Sequence, residues 1–179
     1  MRWDSVVYSG ITVVALAVGG AFAQETAARA PELQVLDAWS GKWTTHGKLY
    51  DTAHSKAGEI SITMTCGWSQ YGGYMICDHI FTGPNGKRND LTIYTYNPAD
   101  KSYKFVGFDH SGAARPTPLT IDGKIWSYDT KSEENGKKLY IKTINDFSKP
   151  GIVAWNTKFS EDGGAHWTLM NEGVDRKEP

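Results

Sequence analysis

Period-two alternation is what most limits how this chain can fold. The segment EISITMTCGW places Ile60, Ile62, Met64, Cys66 and Trp68 at every second position, against Glu59, Ser61, Thr63 and Thr65. Successive side chains of a strand point to opposite faces, so this pattern buries one face and wets the other. The segments LTIYTY, SYKFVGF, KIWSYDT, KLYIKTI, IVAWNTKF and HWTLMNE are rich in the aromatic and β-branched residues that suit a pleated surface. Between them stand the turn signals PNGK, NPADK, IDGK, ENGK, SKPG and EDGG, which recur roughly every 13–15 residues through most of the chain. Asp122-Gly123 and Asn135-Gly136 suit two-residue hairpin turns, whose central positions need φ > 0. Short strands joined by short turns pair with their chain neighbours, which predicts an antiparallel meander of about nine or ten strands. An open sheet of that size leaves two edges to aggregate, and closure removes them. The expected fold is therefore all-β, a single up-and-down β-barrel whose interior is filled by side chains or holds a small ligand.

Helical period is confined to PELQVLDAWSG. Pro31 suits a first helical position, Gly41 suits a stop, and Leu33, Leu36 and Ala38 or Trp39 form one apolar side. A short helix near the N-terminus is expected there. SGAARPTP reads as a loop, with Arg115 either covering a barrel mouth or simply solvated.

The N-terminal segment predicts export. Arg2 precedes an apolar run from about Ile11 to Phe22, and Ala21 and Ala23 form an A-x-A cleavage signal before Gln24. The run is short of the roughly 20 apolar residues that a membrane span needs. Residues 1–23 are thus expected to be a signal peptide, 24–31 a flexible lead-in, and 32–179 one domain, periplasmic or secreted and without a membrane span after cleavage. Formal net charge is −1, and no basic block stands out, so neither nucleic acid nor an anionic membrane is an expected partner. In an oxidising compartment an even pair of cysteines reads as a disulfide. Cys66 and Cys77 lie symmetrically about Tyr71-Gly72, so a turn there brings them face to face across two strands, at a separation that a disulfide accepts.

The motifs that suggest chemistry each have a plainer structural reading. Ser160, Asp162, Gly164 and Trp167 fit S-x-D-x-G-x-x-W, the Asp-box pattern of β-hairpins. Here it occurs once, whereas a propeller repeats its motif, so Asp162 is expected to tie the turn and Gly163 and Gly164 to take positive φ. Asp78-His79 and Asp109-His110 resemble acid–base pairs, but neighbours in a strand face opposite ways. No G-x-S-x-G elbow is present. The five His form no metal-binding spacing. His79 shares a face with Met75, Cys77 and Phe81, and a haem iron would need such a His, but the spacing assigns no metal and no cofactor. Catalysis is not expected, and an isomerase or hydrolase on the same barrel is the alternative; it would need groups such as His79 and His110 to converge.

Aromatic residues are the remaining signal. After residue 23 the chain keeps six of seven Trp and eight of nine Tyr. Such rings fill a core or line a cavity, where Trp and Tyr each add one polar atom. The residues expected to line a cavity are Trp68, His79, Tyr94, His110, Trp126 and Trp155. A further alternative, a carbohydrate- or protein-binding module, would set the Trp and Tyr in a flat exposed row. A monomer that binds a small, partly apolar ligand is the leading expectation.

The segments LDAWSGKWTTHGKLY, WSQYGGYMI, YTYNPADKSYKFVGFDHSG, GKIWSYD and SEDGGAHWTLMNEGVDRK, in that order, resemble the secreted bacterial proteins grouped as domain of unknown function 1579. The resemblance spans about residues 32–177. It implies a lipocalin-like (calycin) barrel and a possible small-ligand binder, and it brings no catalytic residues with it.

Overall fold

The computed structural model describes residues 29–108, 111–134 and 137–179. The predicted signal peptide, residues 24–28 of the lead-in, the Asn135-Gly136 turn and Asp109-His110 lie outside the described residues. A helix α1 (Pro31–Gln34) runs into a 3₁₀ turn (Val35–Trp39) and then into ten strands: β1 (Gly41–Leu49), β2 (Gly58–Trp68), β3 (Tyr74–Gly83), β4 (Gly86–Asn97), β5 (Ser102–Phe108), β6 (Ala114–Asp122), β7 (Ile125–Glu134), β8 (Lys137–Lys149), β9 (Ile152–Ser160) and β10 (Thr168–Lys177). Each strand pairs antiparallel with its chain neighbours, and β10 returns to β1, from Trp43↔Lys177 to Leu49↔Asn171, to close the barrel. No helix among the described residues is long and apolar enough to cross a membrane.

The helical segment plugs one end. Leu36 and Trp39 are buried, with Leu33 and Ala38 packed against the same core. Trp39 meets Trp43, Tyr94, Trp126 and Phe147, at ring-centroid distances from 4.9 to 6.5 Å. Its carbonyl accepts the Trp43 indole N–H at 2.8 Å. The anchoring starts before the helix, at the end of the predicted lead-in. The Arg29 guanidinium lies 4.3 Å from the Trp68 ring centroid and 3.2 Å from Asp37, and the Trp68 indole donates to that same carboxylate at 2.6 Å.

The β2–β3 hairpin pairs Cys66 with Cys77, and the two form a disulfide with Cα atoms 4.1 Å apart. Gly72, at its tip, has φ +69°. One strand departs from expectation. Residues 114–118, read from sequence as loop, belong to β6 and pair with β5 from Ala114↔Phe108 to Leu119↔Tyr103. The ladder from β6 to β7 covers only Leu119–Asp122. Proline has no N–H to donate, so a Pro-containing strand keeps a full ladder on one side only. Pro116 and Pro118 hid β6 from a propensity reading, and Arg115 sits on that strand rather than on a loop.

Ser160, Asp162 and Gly164 do make a tied turn between β9 and β10. Asp162 accepts the His166 backbone N–H at 3.0 Å and the Ser160 hydroxyl at 2.7 Å. Gly163 and Gly164 have φ of +77° and +99°. The Trp167 indole closes the turn by donating to the Gly164 carbonyl at 3.1 Å. These bonds, the His166 backbone N–H first, hold the Asp162 carboxyl far below its ordinary range.

Candidate ligand cavity

Alternation along the strands sends one set of side chains inward. Above the Trp39 plug these do not fill the barrel. A cavity of about 370 Å³ remains, with Trp39 and Tyr94 towards its closed end. That is within the roughly 300–1,000 Å³ typical of small-molecule sites, at its small end. Ile60, Ile62 and Met64 of β2 and Phe105 of β5 make an apolar wall, and Thr143, Thr157 and Asn171 make a polar one. Thr143 and Thr157 share a hydrogen bond of 2.9 Å.

Asp175 is the carboxylate of this interior. Its exposure is 5%. Thr45 Oγ1 donates to its Oδ1 at 2.6 Å, and Trp155 Nε1 donates to the same oxygen at 2.9 Å. It forms no ion pair among the described residues. Burial pushes its carboxyl up from 3.8 to about 6, against the two hydrogen bonds. Trp155 reaches it because Gly173 lies beneath the indole: a Cβ at 173 would stand 2.6 Å from the ring. Beside this pair, the Tyr94 and Tyr128 hydroxyls share a hydrogen bond of 3.2 Å. Burial raises Tyr94 to about 12 and Tyr128 well above its ordinary 10.0, and the charge of Asp175 adds to both.

His79 stands higher on the wall, where its Nε2 shares a hydrogen bond of 2.9 Å with Thr92. Burial lowers it from 6.5 to about 4, against the pull of Asp90 and Asp78. Asp90 accepts from Arg88 Nε at 2.8 Å, and the Arg88 guanidinium lies 3.8 Å from the Phe81 ring centroid. Arg88, the one Lys or Arg side chain on the cavity wall among the described residues, is therefore already engaged.

Three buried polar atoms on lining residues have no protein partner among the described residues: Asn145 Nδ2, Asp90 Oδ1 and Asn171 Oδ1. Buried polar groups are hydrogen-bonded in the great majority of cases. Groups of this kind are satisfied by water or by a bound molecule.

Of the six residues read from sequence, the structure brings His79, Tyr94 and Trp155 to the cavity wall. Trp68 is elsewhere, holding the helical plug through Asp37. Trp126 is buried behind the plug, 4.6 Å from Phe147 between ring centroids. His110 lies outside the described residues. A flat row of exposed Trp does not form among the described residues, since Trp39, Trp43 and Trp126 are buried, Trp68 and Trp155 half-buried, and Trp167 alone is exposed. Sequence reasoning missed Asp175, Thr45, Trp39, Tyr128 and Asn145. On β10 the usual signal is reversed: Asn171 and Asp175 line the interior, while Val174 lies along a groove on the outer wall.

No family model matches this chain, and no curated protein matches it. Solved structures do. The crystal structure of Rv2717c from M. tuberculosis is similar at 12% identity with a TM-score of 0.56, over 84% of this chain and 99% of that one. The S-type phycobiliprotein lyase CPES from Guillardia theta is similar at 8% identity with a TM-score of 0.55, over 82% of this chain and 92% of that one. At such identities the likeness shows the fold, a closed antiparallel β-barrel, and nothing of the chemistry.

Proposed function

We propose that this chain is a non-catalytic binder of a small, partly apolar ligand held inside the barrel. The observation that carries this reading is the cavity of about 370 Å³ with three buried polar atoms on its lining residues that have no partner among the described residues. Apolar and aromatic walls supply affinity, and a few placed polar groups supply orientation, which is the usual division of labour in such sites. An enzyme on this barrel finds less support. Asp175 titrates near neutrality, but both donors to it are the non-titrating Thr45 and Trp155, so no acid–base partner stands within hydrogen-bond reach among the described residues.

The proposal includes export as a monomer after cleavage before Gln24, and membership of the domain of unknown function 1579 group. The disulfide suits an oxidising compartment. Native mass spectrometry of the protein purified from its own cells tests these points together. The expected result is a chain of residues 24–179, monomeric, carrying a small molecule that is released on denaturation. A bare mass under several growth conditions, together with no uptake of an environment-sensitive dye such as anilinonaphthalene sulfonate, would overturn the binding reading. A mass that retains residues 1–23 would overturn cleavage.

A further inference from the structure

Asp175 is a buried carboxylate that forms no ion pair among the described residues. Burying a charge costs several kcal/mol unless it is paired. Only burial and two neutral donors act on it, and both donors go to Oδ1. Arg88, the one permanent cation on the cavity wall, is bound to Asp90 and stacked on Phe81. Asp175 lines the cavity, its exposure is 5%, and its Oδ2 receives no donor among the described contacts. The rings of Trp39, Tyr94, Phe105, Tyr128 and Trp155 share the same space. Aromatic faces attract cations, more strongly where water is excluded.

We infer that the ligand is a small organic amine, bound as its ammonium ion with the charged nitrogen against Asp175 and an apolar or aromatic body among the surrounding rings. This deepens the binding reading above and rests on it. An ammonium carries up to three donors. Asp175 Oδ2 accepts one, and the Tyr94 and Tyr128 hydroxyl oxygens, close enough to feel the Asp175 charge, are acceptors for others. Asn145 Nδ2 is a donor without a partner among the described residues. It suits an acceptor oxygen on the body of the same molecule. An anionic ligand of equal size would meet Asp175 with like charge and is selected against.

The test uses three probes that share a phenyl body and differ in the head group: 2-phenylethylamine, 2-phenylethanol and phenylacetate. Each is titrated calorimetrically into the disulfide-bonded protein at pH 7.5, with tryptophan fluorescence as the second readout. The amine is expected to bind at least tenfold more tightly than the alcohol, and phenylacetate more weakly than either. Asp175→Asn is expected to abolish the amine's advantage over the alcohol while leaving alcohol binding within about threefold, since Asn keeps the shape and an acceptor for Thr45 and Trp155. Equal or tighter binding of the alcohol or the acid would overturn the amine inference and leave the cavity reading standing. So would an amine preference that survives in Asp175→Asn. Binding of none of the three would overturn the amine inference, and with a bare native mass it would overturn the cavity reading as well. If Asp175→Asn does not fold, the three head groups on the unaltered protein still decide.

Discussion

Asp175 and His79 face one cavity, and burial moves them in opposite directions. Below pH 3.8 Asp175 is protonated whether the chain is folded or not. As pH rises towards about 6 the unfolded chain ionises first, so stability present in acid is lost across that window. His79 is neutral in both states above 6.5. As pH falls towards about 4 the unfolded chain takes up the proton first, so stability present at neutral pH is lost across that window. Each contribution is about 3 kcal/mol, and between pH 4 and 6 they oppose one another. Urea melts of the unaltered protein should therefore change little across that range. Asp175→Asn should be more stable than the parent by about 3 kcal/mol at pH 7 and should then weaken steadily on acidification. His79→Gln should do the reverse and gain stability between pH 6 and 4. Flat profiles in both variants would show that burial does not shift these groups. A stabilising Asp175→Asn would also mark the carboxylate as one retained for binding rather than for folding, since sites commonly cost stability.

At the scale of elements, β9 and β10 depend on one close approach. The Trp155 indole lies on Gly173, and from there it reaches Asp175. Gly173→Ala would put a Cβ 2.6 Å from that ring. The indole must move, its bond to Asp175 must break, and overpacking of this kind costs about 1–3 kcal/mol. A lower melting temperature and a shifted tryptophan emission are expected, and an unchanged emission would show that Trp155 does not rest there. The β2–β3 hairpin carries the disulfide across 11 positions. Replacing both Cys66 and Cys77 by Ser should cost about 3 kcal/mol through the freedom returned to the unfolded chain, read as a shift of the urea midpoint; no shift would show that this loop is already ordered when unfolded. The hairpin was legible because a symmetric Cys pair and a central turn point the same way. Strand β6 was not legible, because Pro116 and Pro118 weaken the local signal and only the neighbouring β5 supplies the ladder that makes it a strand.

Across the whole molecule, closure and plugging are separate acts. The β1–β10 ladder closes the barrel, while Trp39 seals one end against Trp43, Trp126 and Phe147. Trp39→Ala should cost about 3–5 kcal/mol and widen the cavity floor, yet leave the far-ultraviolet signature of the sheet intact. Circular dichroism and a dye-uptake assay check this together, and loss of the sheet signal would mean that closure depends on the plug.

The sequence by itself determined the fold class, the meander order, the short helix, the disulfide and the Asp-box turn. Each of these rests on residues near one another in the chain, where period, turn chemistry and spacing act directly. Of the six residues named from the sequence as cavity-lining, His79, Tyr94 and Trp155 lie on the cavity wall, His79 named for its apolar strand face and the other two for their rings. Only the tertiary structure decided that the barrel is hollow, that Trp68 clasps the plug through Asp37, and that Asp175 looks inward. Hollowness is the difference between the space that ten strands enclose and the volume of the side chains sent into it, and no single segment records that difference. On β10 the interior is polar and Val174 faces out, so the rule that apolar side chains point inward fails on the strand that carries the carboxylate. The site depends on strands distant in sequence, with Thr45 and Asp175 meeting only because the last strand closes on the first.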